Sequence, residues 1–181
     1  MNIYSFGVDF KTAPIEILEA CSCKKDDITY YLSNLVTSIF FDEMVIISTC
    51  NRTEWVFTCT EKNKAMDMLL QIIVKKTNIS ASILKKYIII RDNEELIDHL
   101  MKTASGLNSM VIGENEILAQ IKENYAFCME FGATSAILNK LFQLVISTGK
   151  EVRSVTKIAS GAQSISSIAI EAIRNYESQY N

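Results

Sequence analysis

The order of apolar patterns predicts an α+β domain: a small, mostly antiparallel sheet packed with helices, followed by a helical second half. Three observations carry this expectation. Short strand-like runs interleave with helical spacing up to about residue 92, and apolar residues then recur at helical period. One proline and six glycines in 181 residues leave few breaks, which favours long helices.

IYSFGVDF (3–10) reads as a first strand, followed by the turn KTAP and a short helix, IEILEA. Lys25 to Ser38 has helical spacing, with Ile28, Tyr31, Leu32 and Leu35 on the apolar face. MVIIST (44–49) is an apolar run suited to a central strand. EWVFTCT (54–60) alternates, placing Trp55, Phe57 and Cys59 on one face. The residues CNRT then join these two strands, with Cys50 at the mouth of the connection. Lys62 to Lys76 is helical in pattern, and YIII (87–90) is a further strand candidate. Asp92 with Glu95 three residues on has the form of a capping box, opening a helix over 93–104 that buries Leu96, Ile97, Leu100 and Met101 with His99 on its flank. SGLNSMVIGE is a loop of small and polar residues, and helices follow at about 115–130 and 134–157. ASGAQS then leads into a last helical stretch, which places a boundary near residue 158: a domain over 1–158 and a lead-in helix over 159–181.

A content of 49% hydrophobic and 22% charged residues suits a soluble chain able to bury a core. A net charge of -3 argues against broad, non-specific nucleic-acid binding, although a local basic face stays compatible with it. No apolar run reaches the ~18 residues of a membrane span. The start, MNIYSFGVDFK, lacks the features of a signal peptide, so the expected location is cytoplasmic. Five cysteines form an odd set without framework spacing and are expected to be free thiols. Cys21-x-Cys23 and a single histidine, His99, argue against a zinc site.

Cysteine is commonly a small buried residue, and Cys59 and Cys128 fit that role beside Trp55 and Phe57 and beside Phe127 and Phe131. Cys50 fits it less well, because Thr49, Asn51, Arg52 and Thr53 surround it with polar groups. A guanidinium and free backbone N–H groups near a thiol favour its thiolate, and such N–H groups can stabilise an oxyanion. On local pattern His99 is better explained by a half-buried polar position with one satisfied nitrogen than by acid–base work. Arg52 could equally pair with Glu54 at the surface, and Glu114 and Glu116 could serve only the dipole of a helix start. Lys150, Arg153 and Lys157, with Lys140 further back, form either a solvated face or a strip of ~3–4 phosphate contacts.

Five motifs in order resemble the N-terminal catalytic domain of glutamyl-tRNA reductase. They are GVDFKTAPIEILE (7–19), STCNRTE (48–54), HLMKTASGLNSMVIGENEILAQIK (99–122), LFQLVISTGKEVRS (141–154) and GAQSISSIAIEA (161–172). The resemblance implies that Cys50 attacks the ester of glutamyl-tRNA and forms a glutamyl thioester. NADPH would reduce this to glutamate-1-semialdehyde, a precursor in tetrapyrrole biosynthesis. It further implies that Arg52 binds the glutamate carboxylate, that Thr49 and Asn51 line the same pocket, and that His99 supplies acid–base or positioning help. Ser109, Glu114, Asn115, Glu116 and Gln120 match the substrate-contacting segment of the family.

Three departures from the family pattern stand out. Asp9-Phe10 replaces Asn-His, Asn108 replaces Asp, and Asn115-Glu116 replaces Pro-Gln. The family also has an NADPH-binding domain and a helical dimerisation domain, and no Gly-rich phosphate loop after a strand is legible here. The expectation is therefore acyl transfer or ester hydrolysis by this chain alone, without its own hydride-donor site. The full-length family is a homodimer through parts not matched here, so a monomer is expected for this chain. The competing expectation is a non-catalytic module that binds glutamyl-tRNA or a regulatory partner, its chemistry altered by Phe10 and Glu116. A general cysteine hydrolase is a weaker option, since no third group to orient His99 is evident.

Overall fold

The computed structural model describes residues 2–158 and 165–180. Four strands form one sheet: β1 (Asn2–Asp9), β2 (Glu43–Thr49), β3 (Arg52–Cys59) and β4 (Ile89–Asp92), in the order β2-β3-β1-β4 with every pairing antiparallel. The helices are α1 (Ile15–Cys21), α2 (Lys25–Leu35), α3 (Lys62–Thr77), α4 (Ala81–Leu84), α5 (Asn93–Ala104), α6 (Glu116–Glu130), α7 (Ala136–Val155) and α8 (Ile165–Tyr180). This is the α+β architecture expected, and among the described residues no helix is long and apolar enough to cross a membrane.

Both faces of β3 are covered. Trp55, Phe57 and Cys59 share one buried face, where Tyr31 of α2 packs edge-on against Trp55 at 5.3 Å between ring centroids and Phe41 against Phe57 at 5.1 Å. The alternate residues Arg52, Glu54, Val56 and Thr58 face the layer that contains α5, and all are buried. Alternation alone therefore understated this strand, because a central strand between two helical layers has no wet face. Ile28, Tyr31, Leu32 and Leu35 are all buried as the α2 spacing predicted, each apolar side chain contributing about 1.5–3 kcal/mol.

Several boundaries shift for local reasons. Arg52 pairs with Thr49, so the β2–β3 connection is the two residues Cys50-Asn51 rather than CNRT, and Arg52 and Thr53 belong to β3. Strand β4 runs two residues later than YIII, its register set by Phe6 opposite Ile90 and Gly7 opposite Ile89. Asp92 stands at the N-cap of α5 but makes no capping bond, because its carboxylate takes Lys62 Nζ at 3.0 Å. Asp27 instead accepts the Lys24 N–H at 2.9 Å at the start of α2. The short α4 had no signal in the sequence reading. The lead-in ASGAQS lies outside the described residues, while the helical stretch after it forms α8.

Two contacts fix the second half against the sheet. The buried Glu43 on β2 accepts backbone N–H bonds from Ser135, Ile137 and Leu138 at 2.7–3.0 Å, capping α7 from another element. Helix α7 crosses α5 at Gly149, where a Cβ would stand 2.9 Å from the Ala104 carbonyl oxygen and 3.0 Å from Leu118 Cδ1. Gly149→Ala is therefore expected to destabilise the domain by ~1–3 kcal/mol despite its better helix propensity. Thermal unfolding should show a midpoint lower by several degrees, and an unchanged or raised midpoint would contradict the close crossing.

Candidate functional site

Three connections converge at one end of the sheet. In the β2–β3 turn neither Cys50 nor Asn51 has a positive φ, so the turn is not of the primed type that tight hairpins favour. Its shape is held from outside: the Asn51 N–H donates to Thr49 Oγ1 at 3.2 Å, and Phe10 N–H of the β1–α1 connection donates to the Asn51 carbonyl at 2.9 Å. Cys50 sits exposed on this turn. The other four free thiols differ. Burial pushes Cys21 and Cys128 up to about 11, Cys23 up to about 12 and Cys59 upward, so they stay protonated at neutral pH.

Beside the turn, Arg52 and Glu54 project from the same face of β3 toward His99 and Thr103, one turn apart on α5. Arg52 Nη1 donates to Glu54 Oε1 at 3.3 Å and to Thr103 Oγ1 at 3.1 Å, and Nη2 donates to the Asn108 carbonyl at 2.6 Å. His99 Nε2 lies 2.9 Å and 3.0 Å from the two Glu54 oxygens. The Arg52–Glu54 pair is therefore buried, not a surface pair, and His99 is buried instead of flanking. The guanidinium makes no described contact with Cys50.

Space for Glu54 comes from Gly7 opposite it on β1, where a Cβ would meet the Thr53 carbonyl oxygen at 2.5 Å and Glu54 Cα at 2.9 Å. Burial opposes ionisation of Glu54. The His99 hydrogen bonds and the positive charges of His99, Arg52 and Arg91 outweigh it and hold the carboxyl below its ordinary range. An ionised Glu54 only accepts, so His99 Nε2 carries a hydrogen; when the ring is neutral, Nδ1 bears the lone pair. Glu54 is thus the orienting group that the sequence reading did not identify. Its signal was present: a carboxylate two residues from Arg52 in an otherwise apolar strand.

The α5–α6 connection supplies the third wall. Gly106 and Gly113, both near φ +82°, close it through a Gly113 N–H to Gly106 carbonyl bond of 3.1 Å. Arg153 on α7 holds its far end, donating to the carbonyls of Ala104, Gly113 and Glu114 and to Asn115 Oδ1 at 2.8–3.2 Å. Arg153 is therefore a structural clamp and not part of a phosphate strip; Lys150 and Lys157 stay exposed.

Of the residues singled out in the sequence, Cys50, Thr49, Asn51 and Arg52 stand together, and His99 joins them through Glu54. Ser109 follows Asn108 in the loop and is half-buried. Glu114 and Asn115 are tied to Arg153, and Glu116 is exposed at the start of α6. Gln120 lines a separate cavity of about 200 Å³ with Cys23, Lys24, Ser48 and Asn124. Ser48 bonds Thr53 on the face of the sheet opposite Arg52, so the structure does not bring Gln120 to the guanidinium.

The lowered Glu54 value gives a sign for acid stability. Above the unfolded value of about 4.3 the ionised carboxylate stabilises the fold, and this is lost as pH falls through the lower folded value. Glu54→Gln should cost ~3–5 kcal/mol at pH 7, because it leaves buried Arg52 without its counter-charge. Urea unfolding should show that gap narrowing below about pH 4.3; a gap independent of pH would show that Glu54 is not ionised in the fold.

Comparison with known proteins agrees with this architecture. The family model "Glutamyl-tRNAGlu reductase, N-terminal domain" matches residues 6–156. The glutamyl-tRNA reductase of Gloeothece citriformis is 36% identical over 171 residues, covering 94% of this chain and 40% of that protein. That of Synechocystis sp. is 35% identical over 173 residues, covering 96% and 40%. The solved glutamyl-tRNA reductase from Methanopyrus kandleri superposes with a TM-score of 0.73 at 27% identity, over 96% of this chain and 39% of that one. The chain thus spans about 40% of the length of these relatives. With its α+β fold and the matched span from Phe6 to Thr156, the chain belongs to the glutamyl-tRNA reductase N-terminal domain family.

Proposed function

We propose that residues 1–158 capture the glutamyl group of glutamyl-tRNA as a thioester on Cys50. The observation that carries this reading is the contrast among thiols: Cys50 is exposed on the turn that leads into Arg52, while the other four are pushed toward the protonated form by burial. The Cys50 thiolate attacks the ester carbonyl carbon, a C–S bond forms, and the C–O bond to the terminal ribose breaks. His99 Nδ1 takes the proton of the Cys50 thiol and returns it to the ribose oxygen as this leaves, while Nε2 holds the ring on Glu54. Ester and thiol become thioester and ribose hydroxyl.

Arg52 recognises the glutamate side chain. Its Nε–H is buried and has no partner among the described residues, and Nη2 holds only the Asn108 carbonyl. Nε and Nη2 form the edge of a guanidinium that takes a carboxylate side-on. To engage both, the substrate carboxylate must share Nη2 with Asn108 or displace it. Thr49, Asn51 and Ser109 flank this edge, while Glu114, Asn115, Glu116 and Gln120 act further along the acceptor end.

The described strands are all antiparallel and none runs through a Gly-rich turn into a helix, so these residues do not fit a dinucleotide. Reduction of the thioester by NADPH, leading toward tetrapyrroles, belongs in this reading to the portion of the relatives that the chain does not match. So does their homodimer contact.

Mixing the protein with glutamyl-tRNA and mapping acyl adducts by mass spectrometry tests the nucleophile. The expected result is one glutamyl adduct, on Cys50, lost in Cys50→Ala and kept in Cys128→Ala; an adduct that survives Cys50→Ala overturns the assignment. Arg52→Lys should reduce discrimination between glutamyl- and glutaminyl-tRNA by about 10–100-fold, since an ammonium cannot supply two parallel donors. Unchanged discrimination in competition acylation would remove Arg52 from the recognition role.

A further inference from the structure

We propose that Phe10 and Lys11 seat the 3′-terminal adenosine of the acceptor strand, the ring stacking on the base and the ammonium meeting its 5′-phosphate. This rests on the thioester reading above and extends it from the amino acid to the nucleotide. The ester tethers the two: when Cys50 Sγ comes within about 3–3.5 Å of the carbonyl carbon, the terminal ribose is one bond away and its base within a nucleoside's length. Whatever surrounds Cys50 at that radius must therefore meet the nucleoside.

One segment bonded to the Cys50 turn is the β1–α1 connection, through the 2.9 Å bond from Phe10 N–H to the Asn51 carbonyl. Phe10 is half-buried, yet among the described residues its ring enters no aromatic pair and does not join the core cluster. A large, half-buried ring outside the core and the aromatic pairs keeps a face for stacking, and every nucleobase offers a π-surface to such a face.

Lys11 supplies the charge. It is exposed, with Nζ 5.9 Å from the Phe10 ring centroid and 3.4 Å from Asn108 Oδ1, and it forms no ion pair among the described residues. The nearby carboxylate, Asp9, is buried and engaged elsewhere. Its Oδ1 accepts the Lys11 N–H at 2.9 Å and Thr12 Oγ1 at 3.4 Å, and Oδ2 lies 3.8 Å from Arg91. Among the described residues, the Lys11 charge beside Asn108 is therefore paired with no carboxylate. Arg153, one of the four cations that the sequence offered for phosphate contact, is engaged by the carbonyls of Ala104, Gly113 and Glu114. A ring and a free cation in successive residues match a base and the phosphate one sugar away.

The test compares acylation of Cys50 by three esters of glutamate: ethyl ester, adenosine 3′-ester, and the same ester of adenosine 5′-monophosphate. Wild type should prefer the adenosine ester over the ethyl ester by about 10-fold or more. Phe10→Leu, which keeps apolar bulk, should lose that preference without slowing the ethyl ester, and Phe10→Tyr should retain it. Lys11→Ala should remove only the added gain of the phosphate-bearing ester, about 5-fold at low salt. Equal loss on all esters, or a preference that survives Phe10→Leu, overturns the proposal while leaving the thioester intact. If no ester acylates Cys50, the thioester reading fails. The subsite is then decided by saturation-transfer NMR with adenosine 5′-monophosphate, where binding that does not depend on Phe10 overturns it.

Discussion

One buried carboxylate organises this domain. Glu54 sits on the central strand with Arg52 on one side and His99 on the other, and the layer between β3 and α5 closes around all three. Removing a carboxylate and a guanidinium from water costs several kcal/mol per ion, a cost offset only when geometry and hydrogen bonding are good. Here Glu54 receives His99 and Arg52, and Arg52 in turn reaches Thr103 and the Asn108 carbonyl, so sheet, helix and loop share one network. The orientation of the only histidine and the path of the 105–115 connection both depend on it.

Rigidity around that network has separate origins. Gly7 lets β1 pass close to the Glu54 backbone, and Gly149 lets α7 approach the end of α5. Arg153 then ties the α5–α6 connection to α7 through four acceptors. Cys50 is treated in the opposite way. The fold buries Cys21, Cys59 and Cys128 and half-buries Cys23, but leaves this one on a turn of two residues, braced by Thr49 and by the Phe10 N–H. The short turn between the edge strand β2 and the inner strand β3 thus combines a fixed backbone with an open side chain.

Much of the fold was legible because its signals are local. Helical spacing in Lys25–Leu35 and in 93–104, and the apolar runs that became β1 and β2, reflect burial periods that each segment carries by itself. The misreadings share a cause. CNRT looked like a connection because Arg52 and Thr53 are polar, and only pairing with Thr49 and burial beneath α5 show them to be strand. Asp92 was read as a cap, but Lys62, thirty residues away, holds its carboxylate. Arg153 looked like one of a row of surface cations, and only the returning loop shows what it grips.

The sequence by itself determined the class of fold, the family through its ordered motifs, and the candidacy of Cys50, Arg52 and His99. The class of fold resides in composition and periodicity, while the candidacy of Arg52 and His99 rests on the resemblance carried by those motifs. Tertiary structure alone decided that Glu54 orients His99, that Arg52 is buried with its Nε unpaired among the described residues, that Gln120 lines a separate cavity, and that the Phe10 N–H braces the Cys50–Asn51 turn. The physical reason is that charge pairing and desolvation depend on distance in space, and residues 45 apart in the chain come within 2.9 Å only after the sheet and α5 have packed.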